Sequence, residues 1–172
     1  LDVTEVNVVE VSDAVMQAMT STVTPQGILM VCSIPNFKLS EIAITPESFF
    51  IYLDRIQDPG NAGTILRSAD AFGARAIITS PQSVDMYSPK VVRSTAGSLW
   101  HIPVFESVEL ATLLKELDNP ECIVLSSHAS ESIVDFRATG PCVAIFGNEG
   151  AGTSSAELAV SARTVAIPMS GQ

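Results

Sequence analysis

The sequence predicts an α/β fold, a parallel sheet with helices on both faces. Three observations predict it. Short apolar runs recur along the chain and alternate with stretches of helical spacing, as expected for strands buried on both sides and joined by crossover helices. The 172 residues are 47% hydrophobic and only 16% charged, which fits one packed domain and excludes a disordered chain. No apolar run approaches the roughly 20 residues that span a bilayer, and no basic-then-apolar leader opens the chain.

The elements follow in order. Residues 1–23 are expected to hold one helix, capped by Ser12, with Val15, Met16 and Met19 on its apolar side. Residues 27–33 read as a strand, and 34–47, with Pro35 and Pro46, as a loop. An apolar strand at 48–53 then leads through the polar turn Asp58-Pro59-Gly60-Asn61 into a helix. On it Ala62, Ile65, Leu66, Ala69 and Phe72 recur at helical spacing, and Gly73 marks the stop. A second strand is expected at 75–80, and Pro89 suits the first turn of a short helix. Strands near 102–105, 121–126, 142–146 and 164–167 alternate with helices near 107–117 and 153–162.

The corner between the strand at 48–53 and its helix carries the chemistry. Asn61 is read as the N-cap, its side chain accepting from amides that the first turn leaves unpaired. Arg67 sits within the first two turns, where the helix dipole favours anions over cations. An Asn and an Arg at one corner suggest an anion or a hydroxyl held there. From this segment alone, a plain cap and a solvated arginine explain the residues equally well. The loop Phe146-Gly147-Asn148-Glu149-Gly150-Ala151-Gly152 also follows an apolar strand, but its glycine spacing does not fit the dinucleotide-binding fingerprint. Taken alone it reads as a turn. Cys32, Cys122 and Cys142 form no Cys-x-x-Cys pair, so no zinc or other metal site is expected. They read as buried thiols of a reducing compartment.

Three ordered stretches together resemble the motifs of the TrmH/SpoU family of RNA ribose methyltransferases, in the SPOUT superfamily. They are residues 53–73, Ile145-Phe-Gly-Asn-Glu-Gly-Ala-Gly152, and Val165-Ala-Ile-Pro-Met-Ser-Gly171. The resemblance implies a trefoil knot near the C-terminus and S-adenosylmethionine as cofactor. It also implies methyl transfer to a ribose 2′-hydroxyl of ribosomal or transfer RNA by a homodimer. The expected cofactor contacts are Ser126, Ser127, His128, Phe146, Gly147, Asn148, Gly150, Ile167 and Met169. Gly147 and Gly150 would allow close backbone approach. His128 alone reads as a surface or loop-bonding histidine rather than a catalytic one. The expected catalytic group is Arg67, Asn61 and Glu149, with Glu149 as a holder that fixes Asn61 or Arg67. Free arginine base is scarce near neutrality, so Arg67 reads better as a phosphate clamp that orients the hydroxyl than as a general base.

The resemblance makes residues 1–172 a methyltransferase domain with 1–25 as lead-in. It implies an N-terminal substrate-binding domain before Leu1 and the end of the third motif after Gln172. The expected compartment is the cytoplasm, with an organelle as the alternative because the native N-terminus is expected to lie before Leu1. Net charge of −10 argues against a nucleic-acid binder, yet Arg55, Arg67, Arg75, Lys90 and Arg93, five of nine basic residues, lie within 54–93. A mean hydropathy of +0.34 leaves little polar surface and favours a partner subunit. Two other readings stay open: a non-catalytic RNA-binding relative, and an unrelated nucleotide-binding α/β enzyme.

Overall fold

The apolar runs pair as one parallel sheet. In the computed structural model, which describes residues 7–126, 129–154 and 163–168, the strands are β1 (Phe49–Leu53), β2 (Ile77–Thr79), β3 (Val104–Phe105), β4 (Glu121–Leu125), β5 (Glu131–Ser132), β6 (Cys142–Phe146) and β7 (Arg163–Ala166), of which β5 is a polar pair that no apolar run announced. Their order is β3-β2-β1-β6-β4-β7-β5. Every pairing is parallel. The helices are α1 (Asp13–Met19), α2 (Pro59–Ala71), α3 (Pro89–Ser94) and α4 (Leu110–Glu116), with a 3-10 turn at Ser98–Trp100. The stretch expected as a helix at 153–162 lies outside the described residues beyond Ser154.

The chain divides into two units, Leu1–Pro35 and Asn36–Gln172. In the first, α1 starts at Ser12, whose hydroxyl accepts from the Val15 amide at 3.4 Å. No residue of α1 is buried. The strand expected at 27–33 does not form: these residues lie in no ladder, and Ile28, Met30 and Val31 are exposed. Hydrophobicity alone does not make a strand without a neighbour to accept its hydrogen bonds.

Strand alternation divides the second unit's core. Phe50 and Tyr52 of β1, Val143 and Ile145 of β6, and Cys122 and Val124 of β4 face α4, which contributes Leu110 and Leu113. Ile51 and Leu53 face the opposite way, beneath Ala62, Leu66 and Ala69 of α2 and Val91 of α3. Phe72, expected on that apolar side, is 80% exposed. Burial pushes the Cys122 thiol up to about 11 and the Cys142 thiol up to about 12, so both stay protonated and inert at neutral pH. Cys32 departs from expectation, being exposed.

Register positions the functional edge. Leu53 pairs with Phe146, and Val124 with Ile145, so the carboxyl ends of β1, β6 and β4 stand side by side. β1 lies where the chain order turns, with β2 and β3 on one flank and β6 and β4 on the other. Ligands of open parallel sheets bind outside the carboxyl ends at such a switch point.

Candidate active site

Asp58, rather than Asn61, caps α2. Its carboxylate accepts from the Asn61 amide at 2.8 Å, and Pro59 occupies the first helical position, where a missing N–H costs nothing. The cap therefore lies three residues earlier than the sequence suggested, and the Asn61 side chain is released for another role. It donates to Glu149 at 3.2 Å.

Glu149 binds three successive parts of the first-motif turn. Besides Asn61, it accepts from the Asp58 amide at 3.2 Å and the Gln57 amide at 3.4 Å. Burial acts to raise its carboxyl pKa, but hydrogen bonds from its own amide, Asn61, Asp58 and Gln57 outweigh this and hold it below the ordinary glutamate value. Glu149 thus remains a carboxylate at neutral pH and serves as a holder. Arg67 is not among these partners.

Two more contacts fasten the same loops. Asn148 donates through Nδ2 to the Arg55 carbonyl at 2.9 Å. Asp54, almost fully buried at the end of β1, accepts from the Ser154 amide at 2.7 Å and from Arg55 Nε at 3.1 Å. The segment after β1 and the loop after β6 are therefore joined at both ends and in the middle.

The second-motif loop shapes itself. Asn148 Oδ1 accepts from the Gly150 and Ala151 amides at 3.0 and 2.9 Å, while the Asn148 backbone bridges Gly152. Its side-chain polar atoms are thus engaged in the loop and with Arg55. Gly147 is required by the loop as well: a Cβ there would lie 2.3 Å from the Thr153 amide nitrogen and 2.4 Å from the Gly152 carbonyl carbon. Gly150 has room, its nearest contact being Asn148 Oδ1 at 3.7 Å.

Between the two loops lies a cavity of about 290 Å³ lined by Ile56, Asn61, Thr64, Ile65, Leu125, Phe146, Gly147 and Glu149. It brings together Asn61, Phe146, Gly147 and Glu149 of the expected site. Ser126 follows β4 at the same edge, where its amide bonds the Val165 carbonyl at 3.0 Å. Ile167 follows β7 and is 62% exposed. Ser127, His128 and Met169 lie outside the described residues. Arg67 is exposed and does not line the cavity. At 3.6 residues per turn it stands about 120° around α2 from Asn61. That is the flank where Gly63 meets α3: a Cβ on Gly63 would fall 1.8 Å from Ser94 Oγ.

The sequence did not reveal Asp54, nor the walls Ile56, Thr64, Ile65 and Leu125. An acid directly after an apolar strand was the available signal for Asp54. Among the described residues, no group of three or more His, Cys, Asp or Glu could hold a metal ion.

Residues 48–172 match the SpoU rRNA Methylase family. A 23S rRNA (uridine(2479)-2′-O)-methyltransferase of Streptomyces viridochromogenes is 32% identical, across 92% of this chain and 58% of its own length. The 23S rRNA (guanosine(2553)-2′-O)-methyltransferase RlmP of Bacillus subtilis is 33% identical, across 94% of this chain and 63% of its own. The AdoMet-bound rRNA methyltransferase from Sinorhizobium meliloti superposes with a TM-score of 0.84 at 27% identity, covering 94% of this chain and 62% of that structure. The chain thus spans about three fifths of these relatives.

Proposed function

The chain belongs to the SpoU rRNA methylase family, and on that premise we propose that the complete protein methylates a ribose 2′-hydroxyl of structured RNA, ribosomal or transfer, using S-adenosylmethionine. The observation that carries this reading is the cavity shared by the first and second motifs. Apolar walls at Ile65, Leu125 and Phe146 suit an adenine ring or a thioether chain, and Glu149 is the one charged residue among the described lining residues. A fixed carboxylate attracts a sulfonium and repels the phosphates of a nicotinamide or adenine nucleotide. The residues therefore fit S-adenosylmethionine and disfavour the nucleotide-binding alternative.

When bound, the cofactor supplies an electrophilic methyl group on a good leaving group. Asn61, held by Glu149, offers its amide to orient the hydroxyl. Arg67, on the outer flank of α2, grips an RNA phosphate and aligns that hydroxyl for attack. Gly147 and Asn148 shape the loop, while Phe146, Gly150, Ser126 and Ile167, with Ser127, His128 and Met169, supply cofactor contacts.

The homodimer belongs to the same proposal. An apolar groove of about 230 Å³ beside α2, lined by Phe49, Ile51, Ile65, Ala69, Phe72 and Phe146 among others, adjoins the cavity and would be covered by a second subunit. The trefoil knot belongs here too, supported by the late strands β6 and β7, which insert between strands laid down earlier. So do the further N-terminal domain and a cytoplasmic or organellar location. No described helix is long and apolar enough to cross a membrane.

Mapping 2′-O-methyl marks on total RNA with and without the gene tests the proposal. One missing mark is expected. An unchanged map, with the complete protein expressed and folded, would overturn it.

A further inference from the structure

Residues 86–105 carry Lys90, Arg93 and His101 and no acid, within a chain of net charge −10. The fold lays this stretch along one flank of α2. Ser94 Oγ lies 2.8 Å from the Pro59 carbonyl, seating α3 on the first turn of α2. The left-handed pair Ala96 (φ 49°) and Gly97 (φ 101°) then turns the chain into Ser98–Trp100. At the far end, His101 Nδ1 meets Asp70 Oδ2 at 3.0 Å. Val91 and Leu99 anchor the strip in the core, so its outward residues are presented on a packed support.

Those outward residues are two cations and an aromatic. Lys90 and Arg93 are exposed, and Trp100, the chain's one tryptophan, is 43% exposed. Arg67 is exposed on the same flank of α2, one turn beyond Gly63. We propose that Arg67, Lys90, Arg93 and Trp100 form a docking track for single-stranded RNA flanking the target nucleotide. Phosphates lie on the three cations and one unpaired base stacks on Trp100. This rests on the reading that the substrate is RNA. The combination of cations with an aromatic face favours a single strand, because paired bases offer no free face for stacking. The acidic remainder of the surface confines the strand to this strip through repulsion of phosphate.

The test titrates the full chain with a fluorescently labelled single-stranded 20-nucleotide RNA at several salt concentrations, following both the label and Trp100 emission. RNA should quench Trp100. Lys90→Ala with Arg93→Ala should lower the slope of log affinity against log salt by about 1.4, since each phosphate contact on a single strand contributes about 0.7. Trp100→Ala should weaken binding about tenfold, and Lys115→Ala, on α4 across the sheet, should change neither quantity. Calorimetry should give unchanged S-adenosylmethionine affinity in every variant, which establishes that each is folded. Wild-type affinity and slope in the strip variants would overturn the track while leaving the methyltransferase reading intact. Loss on Lys90 and Arg93 substitution with no effect at Trp100 would also overturn it, since RNA held by charge alone, with no base on the indole, would behave in that way. Failure of the wild-type chain to bind RNA under any salt condition would overturn the track alone, because the methyltransferase reading concerns the complete protein and is tested by the map of 2′-O-methyl marks.

Discussion

The two faces of the sheet differ in how completely they are covered. Under α4, Phe50, Tyr52, Leu113, Val124, Val143 and Ile145 are all fully buried. On the other face α2 and α3 cover β1 and β2, but Ala144 and Phe146 of β6 remain only half-buried beside an open groove and the site cavity. The closed face sets the register that aligns the strand ends. The half-open face carries the chemistry, because a ligand or partner can bind only where packing is left unfinished.

The largest effect on stability should come from the closed face. Leu113→Ala removes a fully buried side chain and should cost about 2–5 kcal/mol. Urea unfolding measures this, while calorimetry on the folded protein should give unchanged S-adenosylmethionine affinity. An affinity change as large as the stability change would break the division between the faces.

Gly63→Ala should follow. The added methyl would press on Ser94, and overpacking of this kind costs about 1–3 kcal/mol. Ser94→Gly, added to Gly63→Ala, should recover part of the loss, as read from the shift in thermal midpoint. A neutral Gly63→Ala would mean that the α2–α3 seam is looser than the structure shows.

Glu149→Gln should affect the functional edge while sparing the core. The folded-state carboxyl is held below the ordinary value of 4.5. Its contribution is therefore complete above that value and fades as pH falls through the lower, folded one. Protease resistance of the 147–152 loop should weaken with acid in the wild type. In Glu149→Gln it should be weak and flat across the same range.

Gly150→Ala should do least to the fold, within about 0.5 kcal/mol, because its Cβ makes only ordinary contact. This makes it the cleaner steric probe of the cofactor pocket. Gly147→Val would collide with Thr153 and remove the loop itself. Reduced S-adenosylmethionine affinity in Gly150→Ala, with the thermal midpoint unchanged, would place that glycine against the ligand.

Six of the seven described strands were legible in the sequence because apolar runs buried on both faces leave few alternatives, whereas β5, a Glu-Ser pair, carries no such signal. β1, β4 and β6 fall within two residues of their expected bounds. The run at 27–33 shows the limit of that signal, being apolar but unpaired. At the site, the motifs led to Glu149 as a holder of Asn61 or Arg67, and the hydrogen bond falls on Asn61. The cap was not legible, because Asp58 and Asn61 are both good caps and only the placement of Pro59 at the first helical position decides between them. Gly147 also has a structural role that the sequence did not show. Its missing Cβ makes room for Gly152 and Thr153, which return over it through a loop closure that no local pattern encodes.

Methyl transfer to a ribose, aligned from the flank of α2, is what the proposed chemistry requires. Its most direct test is nucleoside analysis of RNA incubated with the complete protein and methyl-labelled S-adenosylmethionine, for wild type, Arg67→Ala and Arg67→Lys. Label is expected in a single 2′-O-methylnucleoside with wild type. Turnover should fall roughly 100-fold or more in Arg67→Ala at unchanged cofactor affinity and recover poorly in Arg67→Lys, whose ammonium lacks the planar two-point grip. Label on a base, or wild-type turnover in Arg67→Ala, would contradict it.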